Sequence, residues 1–237
     1  MDKVKDALLV NKQAFNRTAR SLKYLPVVFL TVVLTSYFVG LISYGLNSLF
    51  TGNVNSFVVG LIGYILEMMR YSVIVTVLYC VINGFKINID TIKAGLTAYV
   101  SPLMSLFFIF YLVELLLGMF GLPQVFYILW FLIQSPMLET VYIGQETGMP
   151  GVESILNFLK ENILTWVVLN VVFALILRNF EVVNRAFGLV GILPVNIPVL
   201  LVFALVVSLI YIYKGHLYTI LYRSSFRKRK FQGYYDE

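Results

Sequence analysis

Long stretches of this chain carry no charge at all, and that constrains it more than any motif does. Six runs, at residues 24–50, 56–82, 97–121, 125–144, 163–178 and 196–215, are almost wholly apolar. Uncharged runs of about 18 or more residues read as membrane spans. Charged residues make up only 13% of the 237, about half the share of a soluble domain, and mean hydropathy is +0.86. Runs such as VVFLTVVL (27–34) and VLLVFALVVSLIYIY (199–213) do not alternate between apolar and polar residues. That disfavours a membrane β-barrel and favours helices, which satisfy their own backbone hydrogen bonds within one segment. The sequence therefore predicts an all-α membrane protein with six transmembrane helices and no separate soluble domain.

The cations give this bundle an orientation. With the N-terminus in the cytoplasm, fifteen of the eighteen lysines and arginines fall on the cytoplasmic side. Arg178 and Arg185 fall outside, and Arg70 falls within a span. Cationic loops resist translocation, so the expected protein is a multi-pass one of the cell membrane with both termini cytoplasmic. Three regions follow: a cytoplasmic interfacial helix at 1–23, a six-helix bundle at 24–215, and a basic cytoplasmic tail at 216–237. The first apolar run is too long for a signal-peptide core, so the N-terminus is expected to be retained. Cys80 is the only cysteine and is expected to be a buried, inert thiol.

Several pieces are expected outside the hydrocarbon. Val4, Leu8, Phe15 and Leu22 share one face of a helix over 3–23, flanked by Lys5, Lys12 and Lys23. That pattern suits a helix lying among anionic lipid headgroups. Residues 152–161 repeat it, with Val152, Ile155, Leu156 and Leu159 on one face. Asp90 is placed to cap a short helical turn carrying Ile92 and Leu96. The segment 179–195, interrupted by Pro194, suits either a re-entrant element or an ordinary loop leading to the sixth span. The RKRK of the tail does not require nucleic acid, because cations beside a cytoplasmic span are what the topology rule predicts.

Four ionisable residues fall where lipid would be: Glu67 and Arg70 in the second span, Glu114 in the third and Glu139 in the fourth. Each is costly there unless paired or hydrated, which marks the group as the candidate site. At 1.5 Å per residue, Arg70 and Glu139 both lie about 21 Å from the outer ends of their spans. Arg70 is therefore expected to contact Glu139, with Glu67 at i−3 as the competing partner. Two roles fit: an ion pair holding spans two and four in register, or a proton or ion pathway. Pro102 and Pro136 are expected to kink spans three and four. Catalytic, metal-binding and cofactor motifs are absent from the sequence, and the one histidine, His216, has no carboxylate or cysteine cluster beside it in sequence. No enzymatic activity and no cofactor are expected.

Two stretches carry a resemblance. One is Pro136-Met-Leu-Glu139-Thr-Val-Tyr followed by Phe158-Leu-Lys-Glu-Asn162-Ile-Leu-Thr-Trp166. The other is Tyr213-Lys-Gly-His-Leu-Tyr218 with Ser224-Ser-Phe-Arg-Lys-Arg-Lys-Phe231. With the basic N-terminal helix they resemble bacterial six-span proteins of the glycerophosphodiester phosphodiesterase membrane-domain type. That resemblance implies an anchor architecture rather than an activity. The layout is also similar to exporter permeases of the ABC-2 type, in which 3–23, 90–96 and 179–197 would be the interfacial helix, the contact to a separate ATPase subunit and a re-entrant element. The expected function is that of a non-enzymatic anchor, scaffold or accessory subunit; the alternative is a permease subunit of such an exporter, or another transporter.

Overall fold

The computed structural model describes residues 3–49, 56–119, 124–187 and 197–232, and every element among them is helical. In chain order these are α1 (Lys3–Ser21), a 3-10 turn (Leu22–Tyr24), α2 (Leu25–Leu49), α3 (Ser56–Asn83), α4 (Ile89–Met119) and α5 (Gln124–Gln134). There follow α6 (Met137–Tyr142), α7 (Gly148–Phe187), α8 (Ile197–Arg223) and α9 (Phe226–Gln232). Among the described residues, five helices are long and apolar enough to cross a membrane: α2, α3, α4, α7 and α8. The protein is an all-α membrane protein.

The expected fourth span differs from its prediction. It is two helices, α5 and α6, separated at Ser135–Pro136. Proline lacks an N–H and its ring opposes the carbonyl four residues earlier. Pro102 sits inside α4 without breaking it. The two sites differ in the partners at hand, as described below for Ser135.

Local signals account for several other boundaries. Gly84, at φ 71°, closes α3, and the Phe85 amide donates back to the Cys80 carbonyl at 2.9 Å. Asn88 rather than Asp90 caps α4, its Oδ1 accepting from the Thr91 amide and hydroxyl, both at 2.7 Å. The turn expected at 90–96 is thus the start of α4, whose 31 residues span about 46 Å and outreach a hydrocarbon core of about 30 Å. Residues 152–161 fall in the first of two helical stretches of α7, which meet at a kink where Asn162 turns to φ −120°, ψ 18°, so the helix expected there is set apart from the span that follows it. Of the segment 179–197, residues up to 187 continue α7 and Ile197 begins α8; residues 188–196 lie outside the described residues.

α3 packs between α2 and α4, and α8 packs against α1, α2, α3 and α7. Close approach of α3 and α4 depends on Gly95, where any Cβ would collide with the Thr76 side chain. Ser72 donates to the Gly95 carbonyl at 3.0 Å across the same contact. Small residues at such crossings are the usual device where lipid gives no hydrophobic drive between helices. The outward faces stay apolar: Leu30, Leu34 and Phe38 on α2, Phe108, Leu112 and Leu116 on α4, and Val168, Val172 and Leu175 on α7 are all exposed. A belt of that extent suits lipid and not water.

α1 buries its polar and small face: Asp6, Ala7, Val10, Gln13, Ala14, Thr18 and Ser21. Asn11 Oδ1 accepts from the Tyr213 hydroxyl at 2.6 Å, and the Ser21 hydroxyl lies 2.8 Å from His216 Nε2. Arg229 of α9 clasps Asp6 in a fork, Nε to Oδ1 at 3.0 Å and Nη2 to Oδ2 at 2.9 Å, and its Nη1 donates to the Ser224 carbonyl. Both members of the pair are buried. The first and last described helices therefore meet at one end of the bundle. The stretch expected as a basic tail at 216–237 holds the end of α8 and then α9, with 233–237 outside the described residues.

Asp6→Asn or Arg229→Met alone should lower thermal stability in detergent markedly, by the about 3–5 kcal/mol of a broken buried pair, while the double variant should recover much of it.

Candidate functional site

The break between α5 and α6 organises a buried ion pair. Pro136 stands at the head of α6, and its carbonyl accepts from the Thr140 amide and hydroxyl, both at 2.9 Å. The Ser135 carbonyl, left without a helical donor, accepts from Lys214 Nζ at 2.7 Å. The Ser135 hydroxyl donates to the Leu132 carbonyl at 2.7 Å and accepts from Trp166 Nε1 at 2.8 Å. Three helices, α5, α7 and α8, thus meet at one residue.

One turn into α6, Glu139 is 1% exposed, and its Oε1 lies 3.5 Å from Lys214 Nζ. Its Oε2 is buried without a hydrogen-bond partner, as is the Tyr142 hydroxyl one turn further on. The lysine ammonium also sits 5.3 Å from the centre of the Trp166 ring. Gly215 leaves the room that brings α6 against α8, since a Cβ there would press on the Tyr142 hydroxyl. Thr140 and the Tyr218 hydroxyl are 3.1 Å apart, one turn of α8 beyond Lys214.

An aromatic layer covers the pair. Phe158 stacks on Tyr218 with ring centres 4.4 Å apart, and Trp166 meets both rings edge-on. On the other side of Phe158 a cleft of about 400 Å³ opens between the first half of α7 and the end of α8. Glu146, Glu153 and Glu161 line it, together with Asn157 and Tyr222. The layout is an acidic cleft, an aromatic layer and a buried carboxylate–ammonium pair. Lys214 lies nine residues before the end of α8, about 13 Å along the helix, so the pair is nearer the end where both termini meet.

The sequence-predicted residues divide. Arg70 does not reach Glu139; its Nε binds Glu67 Oε2 at 2.7 Å within α3, and its guanidinium also covers the Tyr71 ring at 4.4 Å. Of that pair, the Glu67 side chain is 43% exposed and the Arg70 side chain 18%. Glu114 faces outward on α4. Glu139 alone is central, and its partner is Lys214. Matched depth was necessary for the expected contact but not sufficient, because Arg70 has a carboxylate one turn away on its own helix. Lys214 was missed because the sixth span was ended at 215 and the lysine assigned to the cytoplasmic side. The signal was there: the apolar run resumes as HLYTILY, which places Lys214 within a longer helix. Among the described residues no group of three or more His, Cys, Asp or Glu side chains is placed to hold a metal ion. Comparisons with protein-family models, curated proteins and solved structures find no match.

Glu139→Gln or Lys214→Met alone should destabilise strongly, because each leaves a buried partner uncompensated, and the pair should show clear coupling in a double-mutant cycle read by thermal unfolding. The cycle between positions 70 and 139 should give none.

Proposed function

We propose that the chain is a non-enzymatic, multi-pass transport protein of the cell membrane, in which Glu139 carries the coupling proton. The observation that supports this most is the placement of the Glu139–Lys214 pair at a helix break, one aromatic layer from an acidic cleft. Discontinuous helices and buried ionisable pairs are the usual marks of a transport site. In this reading a proton from the cleft adds to the free Oε2 of Glu139, the carboxylate becomes neutral, and Lys214 loses the charge that holds it. The Lys214 ammonium, still donating to the Ser135 carbonyl, then becomes available to a solute. Among the described residues, Tyr142, from α6 itself, and Tyr211 and Tyr218, from α8, are further titratable groups that interact with Glu139.

The reading takes α5 and α6 together as one discontinuous crossing. Contact between α1 and α9 supports it, since a chain that returns to its starting side crosses an even number of times. The cationic bias places that side in the cytoplasm. The ABC-2-type reading gains less support, because the element expected to meet an ATPase subunit is continuous with α4.

Two measurements test the proposal. In liposomes containing pyranine, under a potential set by potassium and valinomycin, small organic cations and anions are offered in turn. The wild type should show solute-dependent proton uptake that Glu139→Gln, reconstituted well below its own unfolding temperature, abolishes. Absence of uptake in the wild type overturns transport and leaves the anchor or accessory-subunit reading, which co-purification in mild detergent then addresses. For topology, single cysteines at 53 and 228 on a Cys80→Ala background should label from outside and inside respectively; external labelling at 228 refutes the orientation.

A further inference from the structure

The polar face of α1 is occupied by the bundle, and its apolar face is left uncovered. Val4 is 51% exposed, Leu8 67%, Phe15 66% and Leu22 43%. These four recur at spacings of four and seven, so they form one stripe along the helix. At 100° per residue, Lys5, Lys12 and Lys23 fall on the flank of the stripe away from the buried face. All three are exposed. The 3-10 turn at Leu22–Tyr24 then leads directly into α2, whose first turns expose Val27, Leu30 and Leu34. The stripe is therefore continuous with a surface built for lipid.

We infer that α1 is a rigid lipid-facing foot, its stripe in the bilayer surface and its flanking lysines on anionic headgroups. Two features of α1 choose this occupant. The stripe runs into the lipid-facing side of a spanning helix, and its flank carries the charge opposite to that of anionic lipid. A free amphipathic helix could leave the surface or roll on it. This one is fixed in rotation by Asp6–Arg229, Asn11–Tyr213 and Ser21–His216, so the same residues must face lipid throughout.

Spin labels placed singly at 8, 15 and 16 in a Cys80→Ala variant, in nanodiscs of phosphatidylcholine with or without phosphatidylglycerol, test the inference. Asn16 is exposed on the polar side and serves as the aqueous reference. Labels at 8 and 15 should show an oxygen-to-nickel-chelate collision ratio severalfold above that at 16. Phosphatidylglycerol should raise the ratio further, and the variant Lys5→Gln/Lys12→Gln/Lys23→Gln should remove that increment. Equal nickel access at 8, 15 and 16 overturns the inference. So does spin–spin broadening at 8 that disappears on dilution with unlabelled protein, since that assigns the stripe to a second copy.

Discussion

Lipid donates no hydrogen bond, so a carbonyl freed by a break in a buried helix must be met from within the protein. At Ser135–Pro136 that donor is Lys214, and the rest of the site depends on it. The same ammonium neutralises Glu139 and lies against Trp166, so one charge joins α5, α6, α7 and α8. A six-residue helix such as α6 has no stability of its own. Its position follows from what grips it: the ammonium on one side, Tyr218 on another, and Gly215 beneath Tyr142.

The same short stretch of α8 also holds the ends of the chain. Successive residues of a helix point about 100° apart, so four in a row face all directions. Tyr213 takes Asn11 of α1, Lys214 takes the helix break, Gly215 admits Tyr142, and His216 takes Ser21. Few positions at this level are left for lipid, and α8 is spine rather than periphery here. One turn after α8 ends, Arg229 fastens α9 to Asp6. The N-terminal helix and the buried site thus share a common support in α8.

Composition and apolar run length were enough for the architecture. They determined that the chain is helical and membrane-embedded, and they located α2 and α3 to within a residue or two, because a span must be long and uncharged whatever it packs against. The amphipathic face of α1 was equally legible, since Val4, Leu8, Phe15 and Leu22 repeat at helical spacing. Boundaries at the bundle ends were less legible, because local patterning does not say that α4 begins at Ile89 or that the helix after the Asn162 kink runs on to Phe187. Glu139 was identifiable by its cost in lipid, but its partner was not. Pairing is settled by which side chains meet in space. Arg70 was captured by Glu67 on its own helix, and Lys214 reached Glu139 only because Pro136 turned α6 and Gly215 let it approach α8. The sequence by itself determined which groups need partners; only the tertiary structure decided which partners they have, because depth along a helix is a one-dimensional quantity and contact is not.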